Sequence, residues 1–572
     1  MTFQLPPLTA DPVERVRQAF RNIGAADRPE VWICLRPESA VIAEAQAVKK
    51  AFEGRPTPSL FGVLIAVKDN IDVAGMPTTA GCPSYSYAPQ STALAVQLLL
   101  DAGAIVIGKT NLDQFATGLV GTRSPHGAVR NAHDPDLVSG GSSSGSAVAV
   151  ALGLVDAALG TDTAGSGRIP AAFNRLYSIK ATVGYASLTG VVPACASYDC
   201  LNVFARTLSL AGDITAVMGA SGSGNTRPLP ATYPLAARPN PVIAVASLDQ
   251  MPQLQPRWRD AYSAAVAQIE ASGWTTRTVD ITDLVDAGAL LYSGALVAER
   301  HAAVGAFVEG GSADLDPTVM DIIVNAGKHS ASALALDQAK VQEFRTRAAD
   351  LLAGTDALLL PTAPFHPSIT AVGADPMGVN SQLGVFTTFL NVLDMAAVAF
   401  PSPGEETFGL SFIGRAFEDE LLVDLTSRFT GQAAPSLPLY SSYDIAVFGA
   451  HMRGEPLNGQ LLGFGATYTG DIRTAPAYRL LALNTESTVT KVALIPSEDG
   501  RAVDGELWRL SAAGLGKLLD AVQRPQSLGK VLNEDGGEIP AFLCDSTVAA
   551  AATDITEFGG WRAYASSRLV HN

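Results

Sequence analysis

Cysteine is scarce: the 572-residue chain has five, Cys34, Cys82, Cys195, Cys200 and Cys544. None forms a CxxC pair or a Cys/His cluster, which argues against a disulfide-stapled scaffold and a thiolate zinc site. Cys195 and Cys200, separated by four residues, have no histidine ligands to make a metal pair. The expectation is reduced thiols in a cytoplasmic protein, with no metal and no other cofactor. Positive charge is also in deficit. Lys and Arg number 39 against 55 Asp and Glu, for a net charge of −16. A general nucleic-acid or anionic-membrane partner would want a basic face, so neither is expected. A small anionic substrate stays open, because one or two arginines in a pocket outweigh a diffuse surface charge locally. Long apolar runs are missing as well. The longest, Ala147 to Gly160, is too short to span a bilayer and contains Asp156. The opening MTFQLPPLTADPVERV has no basic stretch followed by an apolar one, so no signal peptide is expected. No internal repeat is apparent. Charged residues make up 16% of the chain and hydrophobic ones 47%, unlike a disordered chain and ample for large cores. At this length two or three folding units are expected.

What is present is an alternation of patterns. The first ~60 residues read as helices, with Val13 to Phe20 amphipathic behind Asp11-Pro12. From Phe61 to about Gly184, strand-like runs (Phe61 to Val67, Ala104 to Gly108) alternate with helical ones (Thr92 to Ala102). Residues 255–272, 280–308 and 337–353 carry helical spacing, and Asp356 to Pro361 reads as a buried strand. The alternation predicts an α/β fold, a mixed sheet core covered by helices.

Two glycine-rich turns carry serines 24 residues apart: Gly140-Gly-Ser-Ser-Ser-Gly145 holds Ser142, and Gly160-Thr-Asp-Thr-Ala-Gly-Ser-Gly-Arg-Ile-Pro170 holds Ser166. Between them lie a helix-length segment, Ser146 to Leu154, and a strand-like Val155 to Leu159. A chain leaving one turn as a helix and returning on a strand brings both serines to one end of an α/β layer. A hydroxyl nucleophile needs a neighbour to take its proton and N–H groups to meet the oxyanion, and glycine lets backbone come that close. Lys68 ends the strand-like run before Asp69-Asn70. A lysine there is a candidate for a buried, neutral amine acting as a base.

Lys68, Ser142 and Ser166, set in these motifs and at this separation, resemble the amidase signature family. The resemblance implies a Ser-cisSer-Lys triad that hydrolyses carboxamides through an acyl-enzyme. Ser166 would be the nucleophile, Ser142 the bridging cis-serine and Lys68 the base. The backbone N–H groups of Thr163, Ala164, Gly165 and Ser166 would form the oxyanion hole, with Asp162 and Arg168 framing the turn. The sequence departs from the family downstream, where Ser178-Ile-Lys-Ala-Thr182 replaces the usual Gly-Leu-Lys-Pro-Thr.

Residues 430–443 are rich in Pro, Ser and Gly and lack periodicity, which predicts a linker at 433–443 between domains at 1–432 and 444–572. The last ~130 residues read as a smaller α+β module, with strands at Asp444 to Gly449 and Val503 to Leu510. Leu291 to His301 and the 117–127 loop resemble the allophanate hydrolases within the amidase signature family, which implies Tyr292, Arg300 and Gly118 as substrate-binding residues. A guanidinium fork suits the carboxylate of allophanate. Val447 to Met452, Pro456 to Gln460, Arg473 to Arg479 and Thr553 to Tyr564 resemble the second domain of that group. A gamma-glutamylcyclotransferase-like fold is implied there, with His451 matching a histidine associated with decarboxylation, while the cyclotransferase glutamate is not evident. The resemblance further implies a homodimer functionally coupled to urea carboxylase. The alternatives are one component of a glutaminyl-tRNA amidotransferase and a catalytically inactive binding protein.

Overall fold

Eleven short, mostly apolar runs become the strands of one mixed sheet. They are β1 Trp32–Leu35, β2 Leu64–Lys68, β3 Ile105–Thr110, β4 Ala157–Asp162, β5 Tyr177–Lys180, β6 Cys200–Ala205, β7 Val242–Ala246, β8 Thr275–Val279, β9 Ala357–Pro361, β10 Met395–Pro401 and β11 Gly409–Arg415. Their order across the sheet is β1-β3-β2-β4-β6-β5-β10-β11-β9-β7-β8. The structure, a computed structural model, describes residues 2–219, 227, 230, 233–405, 407–483, 489–545 and 551–569. Every residue of β2, β3, β4, β5, β6 and β9 is buried, as expected of strands covered on both faces. This is the mixed α/β sheet that the alternating pattern predicts.

Three local expectations need correction. Trp32–Leu35, inside the stretch read as helical, is the edge strand β1, antiparallel to β3. Four residues between two helices are too few to show a period of two. Residues 280–308 form two helices, Thr282–Ala289 and Ala298–Glu309, broken near Gly294. A Cβ on Gly294 would lie 2.6 Å from the carboxylate of Asp337, so glycine is needed where the chain turns. Tyr292 therefore sits in the turn and Arg300 in the second helix, not on one continuous helix. Finally, Ser442 and Tyr443, read as linker, begin the strand Ser442–Val447.

The chain divides into two compact units, Met1–Pro228 with Asn240–Leu439, and Leu229–Pro239 with Tyr440–Asn572. In the second unit the strands are β12 Ser442–Val447, β13 Thr467–Arg473, β14 Tyr478–Leu483, β15 Lys491–Pro496, β16 Asp504–Ser511, β17 Gln526–Leu532, β18 Glu538–Cys544 and β19 Thr553–Asp554. They form one sheet, ordered β13-β16-β12-β18-β15-β14-β19 with β17 on β18. Its core gathers Ile445, Val447, Leu480, Leu494, Trp508 and Ala541. Among the described residues, no helix is long and apolar enough to cross a membrane.

Candidate active site

Strands β2 and β4 are parallel neighbours, with Val67 opposite Leu159. Their C-terminal ends therefore share one edge of the sheet, which brings Lys68 beside the turn that follows Asp162. Lys68 is fully buried. Its Nζ lies 2.8 Å from Ser142 Oγ, 2.7 Å from Thr161 Oγ1 and 3.5 Å from the Thr161 carbonyl. Burial is the largest influence on the amine and brings it down to about 7; Asp113, Asp162 and Asp199 oppose the fall, and Arg300 adds to it. A substantial share of the lysine is then neutral at neutral pH, with a lone pair available to a hydroxyl proton. The amine is neutral above that value and charged below it. Activity is therefore expected to fall as pH drops through about 7 and to level off above it. The profile of kcat/KM against pH checks this, and a flat profile through neutral pH would remove Lys68 as the base.

Ser142 follows Gly140-Gly141 at the entry to the buried helix Ser144–Ala151, and its peptide bond from Gly141 is cis. Its carbonyl accepts the N–H of Asp113 at 3.1 Å. The buried Asp113 carboxylate in turn accepts the N–H groups of Val120 at 3.3 Å, Gly121 at 3.0 Å and Arg123 at 2.9 Å. One aspartate thus ties the Ser142 turn to the loop carrying Gly118. A Cβ on Gly118 would lie 2.4 Å from Asp113 Oδ2, so only glycine fits. Burial pushes the Asp113 carboxyl up, against the charge of Arg123 and these three N–H groups.

Ser166 is also buried. Its hydroxyl donates to the Gly118 carbonyl at 3.4 Å, a long bond, and no hydrogen bond joins it to Ser142 Oγ. The Ser143 N–H reaches the Ser166 carbonyl at 3.3 Å and links the two serine turns. Asp162 shapes the second turn. It accepts the N–H groups of Gly165 at 2.8 Å, Gly167 at 3.0 Å and Arg168 at 3.2 Å. Arg168 grips the same carboxylate through Nε at 2.9 Å and Nη2 at 2.7 Å. Burial alone would raise Asp162, but the Arg168 charge and hydrogen bonds outweigh it and bring the carboxyl down to about 2. Gly165, at φ 123°, has no room for a side chain, since a Cβ would lie 2.2 Å from Thr387 Oγ1.

The anchoring of this turn changes the expected set of oxyanion donors. The Gly165 N–H is already committed to Asp162. The N–H groups of Thr163, Ala164 and Ser166 have no hydrogen-bond acceptor among the described residues. Three of the four expected donors are thus free.

Arg300 is buried, yet no carboxylate pairs with it. Nη1 donates to Thr117 Oγ1 at 2.8 Å and to the Ala116 carbonyl at 3.4 Å, while Nε is buried without a partner. The guanidinium lies over the Tyr292 ring at 5.8 Å. Burial pushes the Tyr292 phenol up, so it remains a neutral hydroxyl. A cavity of about 450 Å³ opens beside Tyr292, lined also by Val285, Gly288, Val385 and Thr388.

His451 belongs to the second unit. It follows β12, its ring is stacked on Phe542 at 5.0 Å, and Nε2 lies 2.9 Å from Gln460 Oε1. Burial lowers the imidazole, the Gln460 bond opposes this, and Lys491 adds to the fall. The five cysteines are free, and burial pushes the thiols of Cys195 and Cys200 up to about 12 and about 11. In the departing segment, Thr182 binds Asp419 through N–H at 2.8 Å and Oγ1 at 2.7 Å. Sequence reasoning passed over Thr161 and Asp113. Thr161 stands inside the second glycine-serine motif and could have been weighed, whereas nothing local to Asp113 marks it as a hub.

The sequence matches the amidase family over residues 14–423 and the allophanate hydrolase C-terminal domain over residues 443–566. It is 37% identical over 582 residues to a urea amidolyase of Saccharomyces cerevisiae, covering 95% of this chain and 31% of that one. The chain thus spans about a third of the length of the urea amidolyases it matches. A solved Kluyveromyces lactis allophanate hydrolase is 35% identical with a TM-score of 0.82, covering 98% of this chain and 97% of that one. The amidase component of a glutamyl-tRNA(Gln) amidotransferase of Deinococcus deserti is 30% identical over 472 residues, covering 74% of this chain and 94% of that one. The chain belongs to the amidase family, and it carries an allophanate hydrolase C-terminal domain behind its amidase domain.

Proposed function

We propose that this protein is an allophanate hydrolase, acting on urea-1-carboxylate. One observation carries the reading: a buried arginine, without an acidic partner and with an unpaired Nε, lies close enough to depress a buried lysine that touches a serine. A carboxylate on the substrate supplies what Arg300 lacks. Similarity to a protein named allophanate hydrolase over nearly the whole chain supports it.

In this mechanism neutral Lys68 takes the Ser142 proton and Ser142 takes that of Ser166, which turns from Gly118 to attack the terminal amide carbon. The developing oxyanion meets the free N–H groups of Thr163, Ala164 and Ser166. The relay returns a proton to nitrogen, ammonia leaves, and water hydrolyses the acyl-enzyme to N-carboxycarbamate. Arg300 and Tyr292 hold the substrate from its carboxylate end, and Gly118 offers its backbone. The reaction needs no metal or other cofactor. The second domain, gamma-glutamylcyclotransferase-like and spanning 444–572 beyond a linker at 433–443, promotes loss of carbon dioxide from N-carboxycarbamate with His451. The protein works as a cytoplasmic homodimer, functionally coupled to urea carboxylase, the reaction that supplies allophanate. The similarity to urea amidolyases supports that coupling.

Ammonia release from allophanate, biuret, malonamate and simple amides tests the substrate. Arg300→Ala is expected to cost about 2–5 kcal/mol, a loss of roughly 30-fold to several thousand-fold, on allophanate beyond its effect on a neutral amide of similar size. Equal losses on both would leave Arg300 a structural residue.

A further inference from the structure

The second unit holds a pocket of about 240 Å³ beside His451. Its polar lining comes from His451, Gln460, Lys491 and Gln523, and its apolar wall from Leu518 and Phe542. No aspartate or glutamate lines it, although the chain as a whole carries a net charge of −16. Lys491 Nζ donates to Gln523 Oε1 at 3.1 Å and pairs with no carboxylate among the described residues. Its charge acts on His451, whose ring is fixed by Phe542 on one face and Gln460 at Nε2. A lone ammonium and a fixed imidazole, joined by an apolar wall, make a seat for a small anion.

We propose that Lys491 anchors one carboxylate of N-carboxycarbamate in this pocket and that the other carboxylate lies against Leu518 and Phe542, where it departs as carbon dioxide. The inference rests on the proposed function and extends it to the second step. A carboxylate against an apolar wall has lost its water, and conversion to neutral carbon dioxide removes that cost. The bond between nitrogen and the departing carbon breaks, and its electron pair stays on nitrogen. One proton, drawn from solvent through His451, then completes carbamate. N-carboxycarbamate dianion and a proton thus give carbon dioxide and carbamate anion, with no oxidant or reductant. Lys491 acts only on the carboxylate that remains and holds it through the step.

Malonate is a stable probe of the same seat, since it replaces the central NH with CH2 and keeps both carboxylates. In full-length protein labelled with 15N-histidine, malonate is expected to shift the His451 imidazole signal saturably, with assignment by His451→Gln. Lys491→Met should weaken that binding by about tenfold to a hundredfold, and Lys491→Arg should restore most of it. Both variants should release the first ammonia at the wild-type rate, which also shows that they are folded. Lys491→Gln replaces the Met variant should the latter fail this control. In stopped-flow timing, Lys491→Met should lengthen the delay between ammonia and carbon dioxide. Wild-type malonate affinity in the neutral variants would overturn the anchor. Unchanged carbon dioxide timing in His451→Ala would instead overturn the proposed role of the second domain, whatever Lys491 binds.

Discussion

Ser166→Ala is expected to abolish ammonia release, with kcat falling on the order of 10⁴- to 10⁶-fold, while the protein stays folded. Covalent chemistry depends on the hydroxyl, and packing hardly does. Its one hydrogen bond is the long contact with Gly118, so the stability cost should stay under about 1 kcal/mol. The turn keeps its shape because Asp162 and Arg168 hold it through backbone groups and a buried ion pair, none involving the Ser166 side chain. Initial-rate ammonia assays beside a thermal melt measure both quantities. A folded variant that turns over near the wild-type rate would rule out the acyl-enzyme mechanism.

The second large effect belongs to the relay. Lys68→Met and Ser142→Ala should each lower kcat by several orders of magnitude, and the double variant should fall little below the worse single one. Residues that act as one unit lose nearly everything when any member is removed, so their effects do not add. Methionine keeps most of the volume of the buried lysine and avoids a large cavity. It still leaves Thr161 Oγ1 and Ser142 Oγ without their contact at Nζ, so some loss of stability is expected. Losses that multiply across the double variant would mean that Lys68 and Ser142 act separately.

Parts of the site were legible because the chemistry demands unusual residues close together in sequence. Serine between glycines, twice, with a helix and strand between, left few alternatives for what meets at the sheet edge. Helical spacing places Tyr292 and Arg300 on one helix, yet the chain turns between them because Gly294 packs against Asp337. They meet all the same, with the guanidinium over the ring. Gly165 as a donor looks as good as its neighbours in sequence, but Asp162 holds its N–H.

The sequence by itself determined the alternation that builds a mixed α/β sheet, the strand ending in Lys68, the two serine turns and a second, strand-rich unit. Each is local, set by residue pattern, glycine placement or composition over a short window. Tertiary structure alone decided which groups are free to act. Lys68 falls to about 7 because the sheet buries it among distant charges, and Arg300 lacks an acidic partner because no carboxylate folds against it. Asp113 joins two loops, and Leu229–Pro239 groups with the second unit rather than the first. Burial and partnership are sums over the whole fold, and residues hundreds of positions apart contribute to them, so no local pattern encodes them.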